Sequence, residues 1–181
     1  MVRPQVVLEI GCLIGQSLKV WIESGVPFIY AVDAVISDEV KHLQRGQGSN
    51  GMICLEQDMK APIDFYRGIP DLVFVDASHK LEDNIEVVKG LVNVLGSGAL
   101  FILHDTGHWA KHHVDGDVTG SKKEFLLAFG GKWDKRLQAW AHHPGEKETI
   151  EWISKNTNWE RLDLWTTEVA RYGITIFQVP N

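Results

Sequence analysis

No stretch of the 181 residues reaches the roughly 18 consecutive apolar positions that a membrane-spanning helix needs. The first residues also lack a charged segment followed by an apolar one, so neither membrane insertion nor secretion is expected. Cysteine is scarce: Cys12 and Cys54 stand far apart, each beside an apolar run that reads as buried strand. Two reduced thiols are therefore expected rather than a bridge, which suits the cytoplasm. Low-complexity tracts and internal repeats are absent, which excludes solenoids and long disordered linkers. Positive charge is also in short supply, with 18 Lys and Arg against 24 Asp and Glu and a formal net charge of -6. No basic stripe can neutralise phosphates, so a small-molecule partner is favoured over nucleic acid.

What remains is ordinary globular material, 44% apolar and 23% charged. A chain of this size closes one core without staples, and a single domain over 1–181 is expected. Apolar runs over 5–10, 27–32, 52–55, 71–75 and 99–103 read as strands with helical patterns between them, the signature of a parallel α/β sheet. Between the fourth and fifth runs, Leu81, Ile85, Val88, Val92 and Leu95 recur at helical spacing up to Gly96, which makes this segment a crossover helix. Two further strands, 159–165 and 172–179, are joined by a short linker and should pair antiparallel. Between them and the fifth run, 106–158 is rich in glycine and histidine, with helical pieces around 121–129 and 146–155. This stretch is expected to form a lid or substrate wall.

The first strand ends in Glu9-Ile10-Gly11-Cys12-Leu13-Ile14-Gly15-Gln16-Ser17 and runs into an amphipathic helix. Such a junction lets a ligand approach the backbone at the glycines and offers unpaired amides to an anionic group at the helix start. The further glycines that a dinucleotide's pyrophosphate requires are missing, since Leu13 and Gln16 occupy their places. The second strand ends at Asp33, about 20 residues on, where an acid commonly receives ribose hydroxyls. The third ends in Glu56-Gln57-Asp58. Strand ends of an open α/β sheet share one edge, so these groups face a common ligand, a nucleoside with a small charged tail.

At this point the chain resembles the class I methyltransferases of the catechol O-methyltransferase-like and macrolide-sugar O-methyltransferase type. The resemblance runs from Val6 to Asp105 and, more loosely, through the last two strands. It implies a Rossmann-like fold: a mostly parallel seven-stranded sheet with an antiparallel C-terminal strand and helices on both faces. It also implies S-adenosylmethionine as cofactor, with Glu9 and Gly11 bordering the methionine portion, Ser17 meeting its carboxylate, Asp33 the ribose, and Gln57 with Asp58 the adenine. Gly15 and Asp76 complete the expected cofactor-binding set.

The fourth strand delivers Asp76 and, three residues later, His79; the fifth delivers His104 and Asp105. Adjacent parallel strands lie about 4.8 Å apart, so Asp76, Asp105 and His104 can converge on one cation, Mg2+ or Mn2+, with strand alternation arguing against His104. A cation would lower the pKa of an acceptor hydroxyl, and an imidazole titrates in the right range to take its proton. In the resembling families this D-x-x-K/H position carries the base, and His79 matches the sugar type. His112, His113, His142 and His143 show no ligand spacing and are read as surface or lid residues. Most of the tryptophans of the second half are read as core, while Trp109 is a candidate wall of the acceptor pocket.

The expected activity is thus a divalent-cation-assisted O-methyl transfer to a hydroxyl of a sugar, polyketide or small phenol. Two alternatives stay open: a binding module that retains the nucleoside pocket without turnover, and a nicotinamide-dependent oxidoreductase, which the missing glycines disfavour. Relatives of this type carry helices ahead of the first strand. Their place here is expected to be taken by 106–158 or by a second copy of the chain in a homodimer.

Overall fold

The computed structural model describes residues 3–48, 51–110, 114–116, 118–128, 131, 133–135, 139–141, 143–164 and 173–181, and of 108–110, 125, 127 and 134 the backbone alone. Five strands run parallel: β1 (Val6–Ile10), β2 (Phe28–Asp33), β3 (Met52–Glu56), β4 (Leu72–Val75) and β5 (Leu100–Leu103). β10 (Ile174–Gln178) lies antiparallel between β5 and the edge strand β9 (Glu160–Leu164). The seven-stranded order is β3-β2-β1-β4-β5-β10-β9.

Strand alternation divides the core into two layers. In β1, Leu8 and Ile10 face Val87, Val88 and Leu91 of α3 (Leu81–Leu91), together with Ile150 and Ile153 of α5 (Pro144–Asn156). Val7 points the other way, toward Leu18 of α1 (Gln16–Glu23) and Val40 of α2 (Asp38–Gln47). A strand buried on both faces must be apolar at successive positions, which is why these runs lack polar alternation. Each such fully buried side chain contributes about 1.5–3 kcal/mol. Ser37 caps α2 by accepting from the Val40 amide at 3.3 Å, with Asp38 and Glu39 in the first turn.

β1 has β2 on one side and β4 on the other. The strand order reverses there, so the chain leaves the carboxyl ends of β1 and β4 toward opposite faces of the sheet and a crevice opens between the two connections. The expected fold class is the one observed.

Two features depart from the sequence reading. Regular helix in α3 stops at Leu91, and the chain reaches Gly96 through turns closed by Val92 N–H to Val88 and Leu95 N–H to Leu91. The 106–158 stretch holds the expected helices α4 (Ser121–Ala128) and α5 and also an unforeseen three-stranded sheet. Its order is β6 (His108–Ala110), β8 (Ala139–Ala141), β7 (Trp133–Asp134). Trp133 and Trp140 meet edge to face at 5.4 Å across this sheet, and Trp140 packs with Val114 and Leu126 in a small core of its own. Trp159 is buried in the main core. His112, His113, His142, Trp165, Tyr172 and the Trp109 side chain lie outside the described residues. Among the described residues no helix is long and apolar enough to cross a membrane.

Candidate active site

The turn after β1 is built on a close approach. Gly11 has φ +90°, and a Cβ there would lie 2.0 Å from the Asp76 carbonyl oxygen. Only glycine lets the two strand ends meet at this point. Gly15, at φ +77°, precedes α1 without a side-chain cap, leaving the first helical amides to whatever binds in front of them. Asp33 at the end of β2 holds this turn from the opposite side: its Oδ2 accepts from the Cys12 amide at 2.8 Å and the Leu13 amide at 3.0 Å.

Beneath the turn, Glu9 is fully buried. It accepts from Ser17 Oγ and Trp21 Nε1, both at 2.6 Å. Burial outweighs both bonds and raises its carboxyl from 4.5 to about 7. A carboxyl with a raised folded pKa holds its proton longer in the folded chain than in the unfolded one, so its stability contribution is lost as pH rises through this window. Glu9→Gln should remove that slope. In urea denaturation the variant should gain on the wild type by about 3 kcal/mol between about pH 4 and about pH 8. A stability gap independent of pH would show that Glu9 ionises normally.

In front of the turn, a cleft of about 710 Å³ runs along the carboxyl ends of the strands, bordered by Gly11, Ser17, Asp33, Asp58, Asp76 and His104. Of the residues expected to bind a cofactor, Glu9, Gly15 and Gln57 stand behind this lining. Glu9 and Gly15 shape the turn, and Gln57 donates to the Ala61 carbonyl at 3.4 Å. Lys60 spans the cleft's far end, 2.8 Å from Asp83 and 3.6 Å from Asp58. Cys12 and Cys54 are both free thiols, as expected, and burial pushes the Cys12 thiol up, away from reactivity.

Acids and imidazoles gather where β4 and β5 end. Asp76 Oδ2 lies 3.2 Å and Asp105 Oδ1 3.4 Å from His104 Nδ1. One ligand atom from each of Asp76, His104 and Asp105 can be chosen with all three within 4.8 Å of one another. Alternation along a strand does not exclude His104, because β5 ends at Leu103 and Asp105 adopts φ +55°. That left-handed residue, costing about 1–2 kcal/mol, turns consecutive side chains toward the same strand end. Beyond it, Thr106 is tied to Thr175 Oγ1 at 3.1 Å and to the Gly173 carbonyl at 2.9 Å.

His79 shares the left-handed conformation, at φ +55°. Its Nδ1 is 2.9 Å from Glu146 Oε1, and its Nε2 is 3.8 Å from Asp76 Oδ1. Burial alone would lower its pKa, but the hydrogen-bonded carboxylate of Glu146, with Asp76 and Asp105 nearby, leaves it raised. Glu146 is fully buried, and its other oxygen accepts from Asn84 Nδ2 at 2.8 Å. The start of α5 docks directly on the His79 turn, where a Cβ on Gly145 would fall 2.1 Å from the His79 carbonyl oxygen.

Sequence reasoning missed Glu146 and Asn84 and misplaced His143. His143 is not a surface or lid residue: it is buried, stacks on His79 with ring centroids 4.0 Å apart, and brings Nε2 to 3.5 Å from Asp105 Oδ2. The one signal available was the His-Pro-Gly-Glu start of a helix, which marks a built N-terminus without saying what it packs on.

No family model and no curated protein matches the chain. Solved structures do match its fold. A Klebsiella pneumoniae protein provisionally termed an O-methyltransferase aligns at TM-score 0.65 and 17% identity, over 98% of this chain and 74% of its own. The O-methyltransferase TomG of Streptomyces achromogenes, involved in tomaymycin synthesis and solved with S-adenosylmethionine, aligns at TM-score 0.63 and 16% identity, over 99% and 74%. An rRNA methylase of Streptococcus thermophilus aligns at TM-score 0.63 and 8% identity, over 99% and 89%. The Rossmann-like methyltransferase architecture is thereby shown.

Proposed function

We propose that this protein is an S-adenosylmethionine-dependent O-methyltransferase acting on a hydroxyl of a small molecule, with His79 as the general base. The observation that carries the reading is the His79 imidazole at the edge of the cleft, held by a fully buried Glu146 and pointing its second nitrogen toward Asp76. The cleft fits the cofactor chemically. Gly11 and the turn after it line the cleft with backbone, α1 presents uncapped amides for a carboxylate, and Asp33 and Asp58 offer acceptors for hydroxyl and amino groups. Bound there, S-adenosylmethionine supplies an electrophilic methyl group on a sulfonium.

The chain's own part is proton management. Glu146 accepts the Nδ1 proton of His79, which fixes the tautomer and leaves the Nε2 lone pair free. Nε2 takes the proton of the acceptor hydroxyl as the oxygen becomes nucleophilic, and the resulting imidazolium is stabilised by the carboxylate behind it. Asp76, Asp105 and His104 form a donor set fit for a divalent cation, Mg2+ or Mn2+, which would lower the hydroxyl's pKa. A net charge of -6 and an acidic corner at the reacting end favour a sugar, polyketide or phenol over a phosphate-bearing acceptor.

Titration calorimetry with S-adenosylhomocysteine tests the reading, followed by labelled methyl transfer to a hydroxylated panel with and without magnesium. Micromolar binding and transfer are expected. Binding without transfer to any acceptor would favour a non-catalytic module, and binding of NAD instead would favour an oxidoreductase. Within the reading, Glu146→Gln should lower kcat by about tenfold or more, with S-adenosylhomocysteine affinity unchanged. An unaltered kcat would reduce Glu146 to a structural residue.

A further inference from the structure

The main sheet ends at β9, which pairs with β10 on one side; among the described residues no strand lies along its other edge. All five of its residues are exposed, Leu162 at 56% and Leu164 at 51%. Every second backbone N–H and C=O of such a strand points away from its neighbour, a template for one more strand. Leu162 and Leu164 stand opposite Ile176 and Ile174 of β10 and share a sheet face with them. Arg161 and Asp163 stand on the other face, opposite Phe177 and Thr175. There Arg161 reaches along the strand to Asp163, with Nε and Nη2 at 3.0 and 2.8 Å from its carboxylate oxygens. Asp163 also accepts from Thr175 Oγ1 at 2.8 Å, which fixes the carboxylate at the edge.

We infer that β9 pairs antiparallel with β9 of a second copy of this chain, with the two Leu162 residues opposite each other across a two-fold axis. The two seven-stranded sheets then join into one. Charge selects this register. A two-fold axis perpendicular to the sheet keeps every residue on its own face, so it must fall where a residue meets its own copy. Centred on Arg161, guanidinium opposes guanidinium; centred on Asp163, carboxylate opposes carboxylate. Centred on Leu162, Arg161 of each copy faces Asp163 of the other, twice over. Opposite Cβ atoms in such a ladder are about 4.5–5.5 Å apart, so each carboxylate can be shared by two guanidiniums. On the other face, the paired leucines carry the apolar row of Ile174 and Ile176 from one copy to the next. Glu160 falls opposite Leu164 at the ladder's two ends, where it stays in solvent. Charges on an edge strand ordinarily deter a second strand; here they admit one register.

Short edge strands bury little area, so a dimer with a micromolar dissociation constant is expected. It stands apart from the methyl-transfer reading. Sedimentation velocity over a concentration series tests it, with far-UV circular dichroism and Tm confirming that each variant is folded. Arg161→Asp and Asp163→Arg each set like charges opposite each other twice and should weaken the dimer by about tenfold or more. An equal mixture of these two variants regains both attractive pairs and should form a mixed dimer. On mild oxidation, Leu162→Cys should cross-link two copies through a disulfide, whereas Leu164→Cys should not. A wild type that stays monomeric throughout overturns the inference and leaves the edge to a strand of another protein. A dimer undiminished by Arg161→Asp, a mixture that stays monomeric, or cross-linking through Leu164→Cys in place of Leu162→Cys overturns it equally.

Discussion

His79→Ala is expected to slow methyl transfer by about a hundredfold or more while leaving S-adenosylhomocysteine affinity within a few fold. The separation follows from geometry, because His79 meets the cleft at one end, whereas the β1 turn, Asp33 and Asp58 line the rest. The active form of a base is the neutral one, so the rate should fall as pH drops through the folded pKa of His79. Glu146 and the neighbouring acids hold that pKa above the ordinary 6.5 after outweighing the effect of burial, so the acid limb of the wild-type rate profile should lie above it too. In His79→Ala the limb should vanish, with partial recovery at high pH where the acceptor ionises unaided. Transfer assays should be run with added magnesium. A rate equal to wild type would reassign His79 to structure and leave the acceptor's proton without a partner.

The second large effect is structural. Gly11→Ala should cost on the order of 3–5 kcal/mol and lower Tm by roughly 10 °C. It should also abolish measurable S-adenosylhomocysteine binding. The added methyl would lie 2.0 Å from the carbonyl oxygen of Asp76, 2.5 Å from its carbon and 2.9 Å from the Ala77 Cα, all backbone atoms unable to swing aside. Relief requires parting β1 from β4, where the Asp76 amide donates to the Ile10 carbonyl at 2.9 Å. That movement would drag Asp76 and the His79 turn with it. Gly15→Ala is the internal comparison: its new methyl meets the ends of the Leu43 and Val40 side chains at 2.8 and 3.2 Å, side-chain atoms rather than backbone. Its cost should be about 1–2 kcal/mol, chiefly from the left-handed φ. Calorimetric melting and ligand titration of both variants decide the matter. Gly11→Ala behaving like Gly15→Ala would show that the strand ends tolerate separation.

Much of this frame was open to reading along the chain. The runs read as parallel strands end within a residue of the observed ones, 71–75 against Leu72–Val75 for example, because doubly buried strands leave unbroken apolar stretches. Asp33, Asp58, Asp76 and Asp105 could be placed because side chains at the ends of parallel strands must share an edge. The small sheet could not be read: β7 has two residues and β6 and β8 three each, too few for any periodicity to register. Strand alternation argued against His104 standing beside Asp105, and that argument ceases to apply once Asp105 takes a positive φ.

Local pattern by itself determined the sheet, its helices, the glycine turn and the acids at the strand ends, since each follows from periodicity or from what one backbone position tolerates. Only the folded chain decided the chemistry at the reacting end. Glu146 stands 67 positions from His79 and 62 from Asn84, and both hydrogen bonds exist because α5 packs against α3. No periodicity spans such a distance; the tautomer of the base and the partners of each carboxylate are properties of that packing.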